Sequence, residues 1–374
     1  MLPAASRDAV SLADVLESCL AAVTGTPGRL ALPEVDHAIV VLIDGLGEHA
    51  LRARSGHART LATAPASVLA SGFPTTTAVA LASLATGALP GAHGVVGYTA
   101  LVPDRDRVVN QLTGWGPEMV PETWQPVTTV FERARAAGWD AVAIGPERYR
   151  ESGFSRAVLR GADYWGARTI DDRIRAARQW LATSSRGIAY VYIPELDVAA
   201  HAHGGRSPEW TAALETADAG VRELAAALGS RDGMIVTGDH GVLDIEPGSH
   251  VLVDQVPGLL SGVRHLAGEP RCLQLHVESG VDPAQVLERW ADHEGDRAWV
   301  ASRADVVASS WWGEVGSAAA VRMGDVFVAA REPIAYYDSR TAGSSRGMTG
   351  QHGSLSSDEL LVPLIGFGAF AAAV

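Results

Sequence analysis

Three short apolar runs, each ending on ionisable residues, constrain this chain more than any other feature of it. HAIVVLIDGLG (37–47) closes on Asp44, IAYVYIPELD (188–197) on Asp197, and GMIVTGDHG (233–241) on Asp239 and His240. A brief, continuous apolar run bounded by Gly or Pro is the pattern of a strand buried on both faces. WDAVAIG (139–145) and ELLVPLIGFG (359–368) read the same way. Helical periods fall between them at 127–138, 169–182 and 208–228, and Leu12, Val15, Leu16, Cys19, Leu20 and Val23 mark an N-terminal amphipathic helix. Strand and helix alternating in this way predict an α/β fold, a mostly parallel sheet with helices on both faces. Ligands of such sheets bind beyond the carboxyl ends of the strands, so Asp44, Asp197, Asp239 and His240 are expected along one edge.

The alternation stops between 246 and 345. There RCLQLHVE, DPAQVLERWADH, WVASRADVV and AVRMGDVFVAAR read as a small inserted α+β cap, leaving 1–245 and 346–374 as the core. The Gly- and Ser-rich turn TAGSSRGMTGQHGS leads back into it.

Charge narrows the partners. The net charge is −13 and all 30 basic residues are Arg, so the basic surface that a nucleic-acid polymer requires is not expected. An anionic substrate then needs local positive charge, which bound metal ions can supply. Cys19 and Cys272 form no CxxC pair, which fits a reducing compartment. No basic segment followed by an apolar one opens the sequence, and no apolar stretch reaches membrane-spanning length, so a cytoplasmic location without a membrane segment is expected.

Asp44, Asp197, His201, Asp239, His240 and His352 together offer three carboxylates and three imidazoles, the donor types that two zinc-like ions take. Asp197 and His201 stand four residues apart, which one helical turn brings to one face; a solvated helix pair would show the same spacing. In SGFPTTTAVALASLATGALPGAHGVVGY (71–98), Thr75, Thr76 and Thr77 precede an Ala-rich helical run. One of them is expected at its N-cap, with its neighbours at the positive end of the helix dipole. A plain cap and a nucleophile activated beside a metal are both compatible with that segment.

In this order the motifs resemble the nucleotide pyrophosphatase/phosphodiesterase branch of the alkaline phosphatase superfamily, over 37–245 and again from about 346 to 370. The matching elements are Asp44-Gly45, the Phe-Pro-Thr-x-Thr segment from Phe73 to Thr77, Asp197-x-x-x-His201, Asp239-His240-Gly241 and His352-Gly353. The resemblance implies an alkaline-phosphatase-like core and two Zn2+ ions, with Mn2+ or another divalent ion as substitutes. It implies that Asp197, His201 and His352 hold one ion, and Asp44, Thr77, Asp239 and His240 the other. It also implies that Thr77 attacks a small phosphoester, such as a nucleotide-derived one, to give a phosphothreonine intermediate. One position departs from the pattern: where the family carries a phosphate-holding Asn in its His-Gly-x-x-x-Asn turn, this chain has Tyr98. Tyr98 is therefore a candidate substrate-binding residue, its hydroxyl able to donate one hydrogen bond, or a packing residue at the mouth of the site.

The expected function is that of a phosphodiesterase or nucleotide pyrophosphatase. Phosphomonoesterase and phosphonate hydrolase activity are the enzymatic alternatives, although the lysines that bind phosphonoacetate in its hydrolase have no counterpart in a lysine-free chain. A catalytically silent anion-binding module is the non-enzymatic one, against which an intact Thr77 argues. A sulfatase would need a Cys or Ser in a Cys/Ser-x-Pro-x-Arg context, absent from the threonine segment.

Overall fold

The strand His37–Ile43 shows why the chain folds around its centre. Ala38, Val40 and Leu42 point into one apolar layer and Ile39, Val41 and Ile43 into the other, all fully buried. Alternate side chains of a strand face opposite sides, so an uninterrupted apolar run is stable only with a helical layer on each side. The first layer is supplied by the helices Ala13–Thr24, Thr77–Thr86 and Val130–Ala136. The second comes from Ile170–Thr183 and Pro208–Ala225. Each fully buried Val, Leu or Ile contributes about 1.5–3 kcal/mol relative to exposure, so burial on both faces anchors this strand.

The computed structural model describes residues 2–6 and 8–374. Seven strands form the central sheet in the order Ala66–Ala70, Leu361–Gly368, Asp232–Thr237, His37–Ile43, Gly187–Ile193, Asp140–Pro146 and Asp163–Ala167. Leu361–Gly368 is antiparallel to both its neighbours, and the other pairs are parallel. The expected α/β class, mostly parallel and covered on both faces, is the observed one. Among the described residues no helix is long and apolar enough to cross a membrane.

A second, six-stranded antiparallel sheet runs Ala298–Ser302, Val326–Ala330, Cys272–Val277, Val263–Glu269, Thr99–Val102 and Arg107–Asn110. Its last two strands come from outside 246–345. They form a hairpin that leaves the segment 71–98 directly after Tyr98, and Thr99 pairs with Gly268. The six-stranded sheet thus joins strands on both sides of the expected 246–345 boundary.

Candidate metal and catalytic site

Parallel register brings the three strand ends level. Leu42 lies opposite both Tyr192 and Thr237, and Ile43 opposite Ile193, so the residues that follow each strand emerge together. Asp44 is tied there by its N–H to the Ile193 carbonyl, 2.9 Å. Its Oδ2 accepts the Tyr192 hydroxyl. Asp239 Oδ1 accepts the N–H groups of Gly45 and His240, each at 3.0 Å. Gly45 has φ +76°, and a Cβ there would lie 3.1 Å from Asp197 Cβ, so the Asp-Gly turn needs its glycine to let the next acidic segment approach.

Asp197 and His201 project from the helix Glu195–His203, with His201 Nε2 3.2 Å from Asp197 Oδ2. His352 follows the short strand Gly350–Gln351, which pairs with Leu243–Asp244. Each of the three histidines holds Nδ1 against a backbone carbonyl: His201 to Gly350 (2.7 Å), His240 to Gly241 (3.1 Å) and His352 to Thr75 (2.8 Å). A carbonyl only accepts, so each Nδ1 carries a proton, and in the neutral ring Nε2 is left to present a lone pair. Such orientation by a second hydrogen bond is how metal-ligating imidazoles are set.

The carboxylates match them. Asp44 Oδ1, Asp197 Oδ1 and Asp239 Oδ2 are buried without a hydrogen-bond partner, and an unpaired buried carboxylate oxygen is costly unless something cationic meets it. Two clusters emerge, Asp197 with His201 and His352, and Asp44 with Asp239 and His240. The potential ligand atoms within each lie within 4.8 Å of one another. His240 and His352 stack at 3.6 Å between ring centroids, which joins the clusters. These donors fit two zinc-like ions in number and type.

Thr77 is the first residue of the helix Thr77–Thr86, with Thr76 at the cap position but making no side-chain capping bond. Thr77 Oγ1 lies 3.1 Å from His240 Nε2, and that nitrogen is 3.4 Å from Asp44 Oδ1 and 3.5 Å from Asp239 Oδ2. Thr75 serves the scaffold instead. Its hydroxyl donates to the Ser354 carbonyl (2.7 Å) and accepts the Gly353 N–H (3.0 Å), fixing the loop that carries His352.

Crowded negative charge marks the protonation equilibria. Burial, then the charges of Asp239 and Asp197, push Asp44 well above the usual carboxylate range, and burial lifts Asp239 to about 6. Burial holds His240 down to about 4 and His352 to about 3. Asp197 is lowered because the adjacent His201 outweighs its own burial, and His201 rises to about 9 as the Asp197 charge outweighs its burial. Three buried carboxylates clustered with three imidazoles make a donor set that fits cations.

Two cavities meet at Thr77. One of about 230 Å³ contains Asp44, Asp197, His201 and His352 together with Thr76, Tyr98 and Glu269. The other, about 450 Å³, is walled by aromatic and apolar groups, among them Leu81, Trp115, Phe154, Tyr190 and Tyr192, with Arg148 and Tyr149. Tyr98 is 36% exposed. The sequence reading passed over Tyr192 and Glu269. Two tyrosines at i and i+2 in an otherwise apolar strand were a signal for the first, since they share a face and stack at 6.3 Å.

The profile of the family described as type I phosphodiesterase / nucleotide pyrophosphatase matches residues 38–355. The chain belongs to that family. Its members are phosphodiesterase and pyrophosphatase hydrolases. No curated protein matched in a sequence search. Among solved structures the fold is similar to murine ectonucleotide pyrophosphatase / phosphodiesterase 5 at TM-score 0.69 and 16% identity, over 87% of each chain. An inactive threonine-to-alanine variant of the murine protein in complex with AMP gives TM-score 0.68 at 16% identity, over 89% of this chain and 88% of that one. The human counterpart gives 0.68 at 16%, over 88% and 87%.

Proposed function

We propose that this family member is a two-metal phosphodiesterase or nucleotide pyrophosphatase that works through Thr77. The observation that carries the reading is the position of Thr77 Oγ1, 3.1 Å from His240 Nε2, a nitrogen that is itself 3.4 Å and 3.5 Å from the unpaired Asp44 Oδ1 and Asp239 Oδ2. Asp197, His201 and His352 would hold one ion, and Asp44, Thr77, Asp239 and His240 the other. When bound, two divalent ions such as Zn2+ or Mn2+ supply charge neutralisation at the phosphoryl oxygens and lower the pKa of the Thr77 hydroxyl.

Thr77 Oγ attacks phosphorus in line. The Oγ–P bond forms as the bond to the leaving oxygen breaks, and that oxygen takes up a proton. Water then adds to the phosphothreonine, the Oγ–P bond breaks, and Thr77 regains its proton. The aromatic cavity receives an ester group with an apolar or flat surface, a nucleoside base included. The AMP complex of the murine protein, and the inactivity of its threonine-to-alanine variant, support this choice of substrate class and nucleophile.

Turnover of bis-p-nitrophenyl phosphate and of thymidine 5′-monophosphate p-nitrophenyl ester tests the reading. Thr77→Ala is expected to lose about 10³-fold or more in kcat with the fold intact, since the covalent route is gone. Thr77→Ser should keep part of the activity. An active Thr77→Ala protein would refute the assignment of the nucleophile.

A further inference from the structure

Outside the donor set, one ionisable side chain stands in the 230 Å³ cavity with half of its bonding capacity unused. Glu269 ends the strand Val263–Glu269 of the inserted sheet and is 4% exposed. Its Oε2 accepts the Tyr98 N–H at 2.9 Å, while Oε1 is buried and has no hydrogen-bond partner. The hydroxyl of Thr76, next to the nucleophile, borders the same cavity and is also unpaired. Gly353, beside His352, has φ +135°, and a Cβ there would fall 2.4 Å from Glu269 Cγ. The backbone of the loop is thus shaped to admit this carboxyl.

We propose that the Glu269 carboxyl is a substrate-positioning hydrogen-bond donor, its Oε1–H holding a non-bridging oxygen of the phosphoryl group at Thr77. The inference rests on the phosphoester reading of the site. Its logic begins with the bonding pattern. In a carboxylic acid one oxygen accepts and the other donates. Oε2 is already the acceptor, of an N–H, which leaves Oε1 as the hydroxyl, making no hydrogen bond in the protein and with the Thr76 hydroxyl as its neighbour. Bound phosphate is an acceptor at every non-bridging oxygen. The chain also lacks an Asn at position 98, and Tyr98 engages Glu269 through its backbone, so the departure from the family pattern and the unused carboxyl meet at one hydrogen bond.

Burial favours the neutral form of this carboxyl. Burial pushes its pKa up to about 8 and the Glu359 charge adds to the rise, while the Tyr98 N–H and the Thr76 hydroxyl pull the other way. The guanidinium of Arg271, two residues on, is committed to Glu359 through two bonds of 2.7 and 2.8 Å. Cys272 on the adjoining strand is a buried thiol, its pKa raised by burial, and so brings no charge. Asp44, Asp197, His201 and His352 border the same cavity. A neutral donor avoids adding a fourth negative charge where an anion must bind.

Glu269→Gln and Glu269→Ala in the zinc-loaded protein test this through two readouts. The first is calorimetric binding of inorganic phosphate, and the second is kcat/KM for a diester across pH 6–10. Gln retains a donor of nearly the same shape, so phosphate affinity and kcat/KM should stay within about 3-fold of wild type. Ala should weaken phosphate binding about 10-fold and kcat/KM about 10²-fold, as for loss of one oxyanion donor. Wild type should lose phosphate affinity as pH rises through about 8, when the donor ionises, and the Gln variant should lack that limb. Equal losses in Gln and Ala, no loss in Ala, or the same alkaline limb in wild type and Gln would each overturn the proposal. A protein that binds phosphate through Glu269 yet turns over no ester would sink the hydrolase reading alone, whereas turnover indifferent to Glu269→Ala would sink only this inference.

Discussion

Replacing Arg271 by Met removes the cation from a fully buried ion pair, and the structure sets the size of the effect. Arg271 and Glu359 have side chains 0% exposed and share two hydrogen bonds of 2.7 and 2.8 Å. The guanidinium also donates to the carbonyls of Glu332 (2.9 Å) and Ile334 (2.7 Å). Glu359 in turn accepts the Ser354 N–H at 2.9 Å, two residues from His352. In Arg271→Met the carboxylate keeps that bond and the Ser356 hydroxyl but loses its ion-pair partner. Losing one member of a buried pair costs about 3–5 kcal/mol, a large part of the 5–15 kcal/mol typical of a domain. The companion Arg271→Met/Glu359→Leu protein should recover much of it, because no unpaired charge remains. Urea unfolding at neutral pH measures both. Acidification gives a second check. Burial alone would raise the Glu359 pKa, but Arg271 outweighs it and the folded value is lowered. The pair's contribution is therefore present above the unfolded carboxylate pKa, roughly 4.3, and is lost as pH falls through the lower folded value. Arg271→Met should lack that acid-dependent part. A single-variant cost under about 1 kcal/mol, or strictly additive losses in the double variant, would refute the reasoning.

Elemental analysis of the purified protein should find close to two zinc-like ions per chain, and a strong chelator should abolish turnover; Asp239→Ala or His240→Ala should lower the stoichiometry toward one. A phosphodiester should be cleaved with higher kcat/KM than the matching monoester, and a monoester preference in wild type would remove the diesterase assignment. If the Tyr98 hydroxyl bonds substrate, Tyr98→Phe should lower kcat/KM by about 10-fold, while an unchanged variant would leave Tyr98 as a packing residue.

Strand-end residues were legible because the signal is local. An apolar run cannot continue into the ionisable residue that closes it, and the parallel register does the rest, so Asp44, Asp197 and Asp239 could be placed at one edge from the sequence. What escaped depends on distant partners. The antiparallel direction of Leu361–Gly368 leaves no mark in its composition, and Ala66–Ala70, a five-residue edge strand exposed over its first three residues, is too short for its pattern to tell strand from loop. The Thr99–Asn110 hairpin belongs with strands more than 150 residues away, as Gly268 opposite Thr99 shows. Glu269 was hidden for a related reason. In the run Ala267-Gly268-Glu269-Pro270 an acidic residue before proline looks like turn chemistry, and only the approach of Gly353 and Tyr98 turns it into a buried carboxyl.

In the two-metal reading proposed above, charge balance connects a diester preference to Glu269. Asp44, Asp197 and Asp239, ionised as ligands, would set three negative charges against the four positive charges of two divalent ions, which leaves a surplus of one while the Thr77 hydroxyl keeps its proton. A phosphodiester monoanion neutralises that surplus, whereas a monoester dianion exceeds it and would need a further cation. The 230 Å³ cavity has neither Arg nor Lys among its lining residues, and the Arg148 side chain borders the aromatic cavity instead, where it donates to the Tyr149 hydroxyl at 3.0 Å. In a water-poor site such an imbalance is expensive, since effective charge interactions there are several times stronger than in bulk water. A neutral Glu269 fits the same balance by donating a hydrogen bond without changing the total. If it ionised, it would cancel the surplus before any substrate arrived, so the alkaline loss of phosphate affinity and the preference for a monoanionic ester follow from one electrostatic condition.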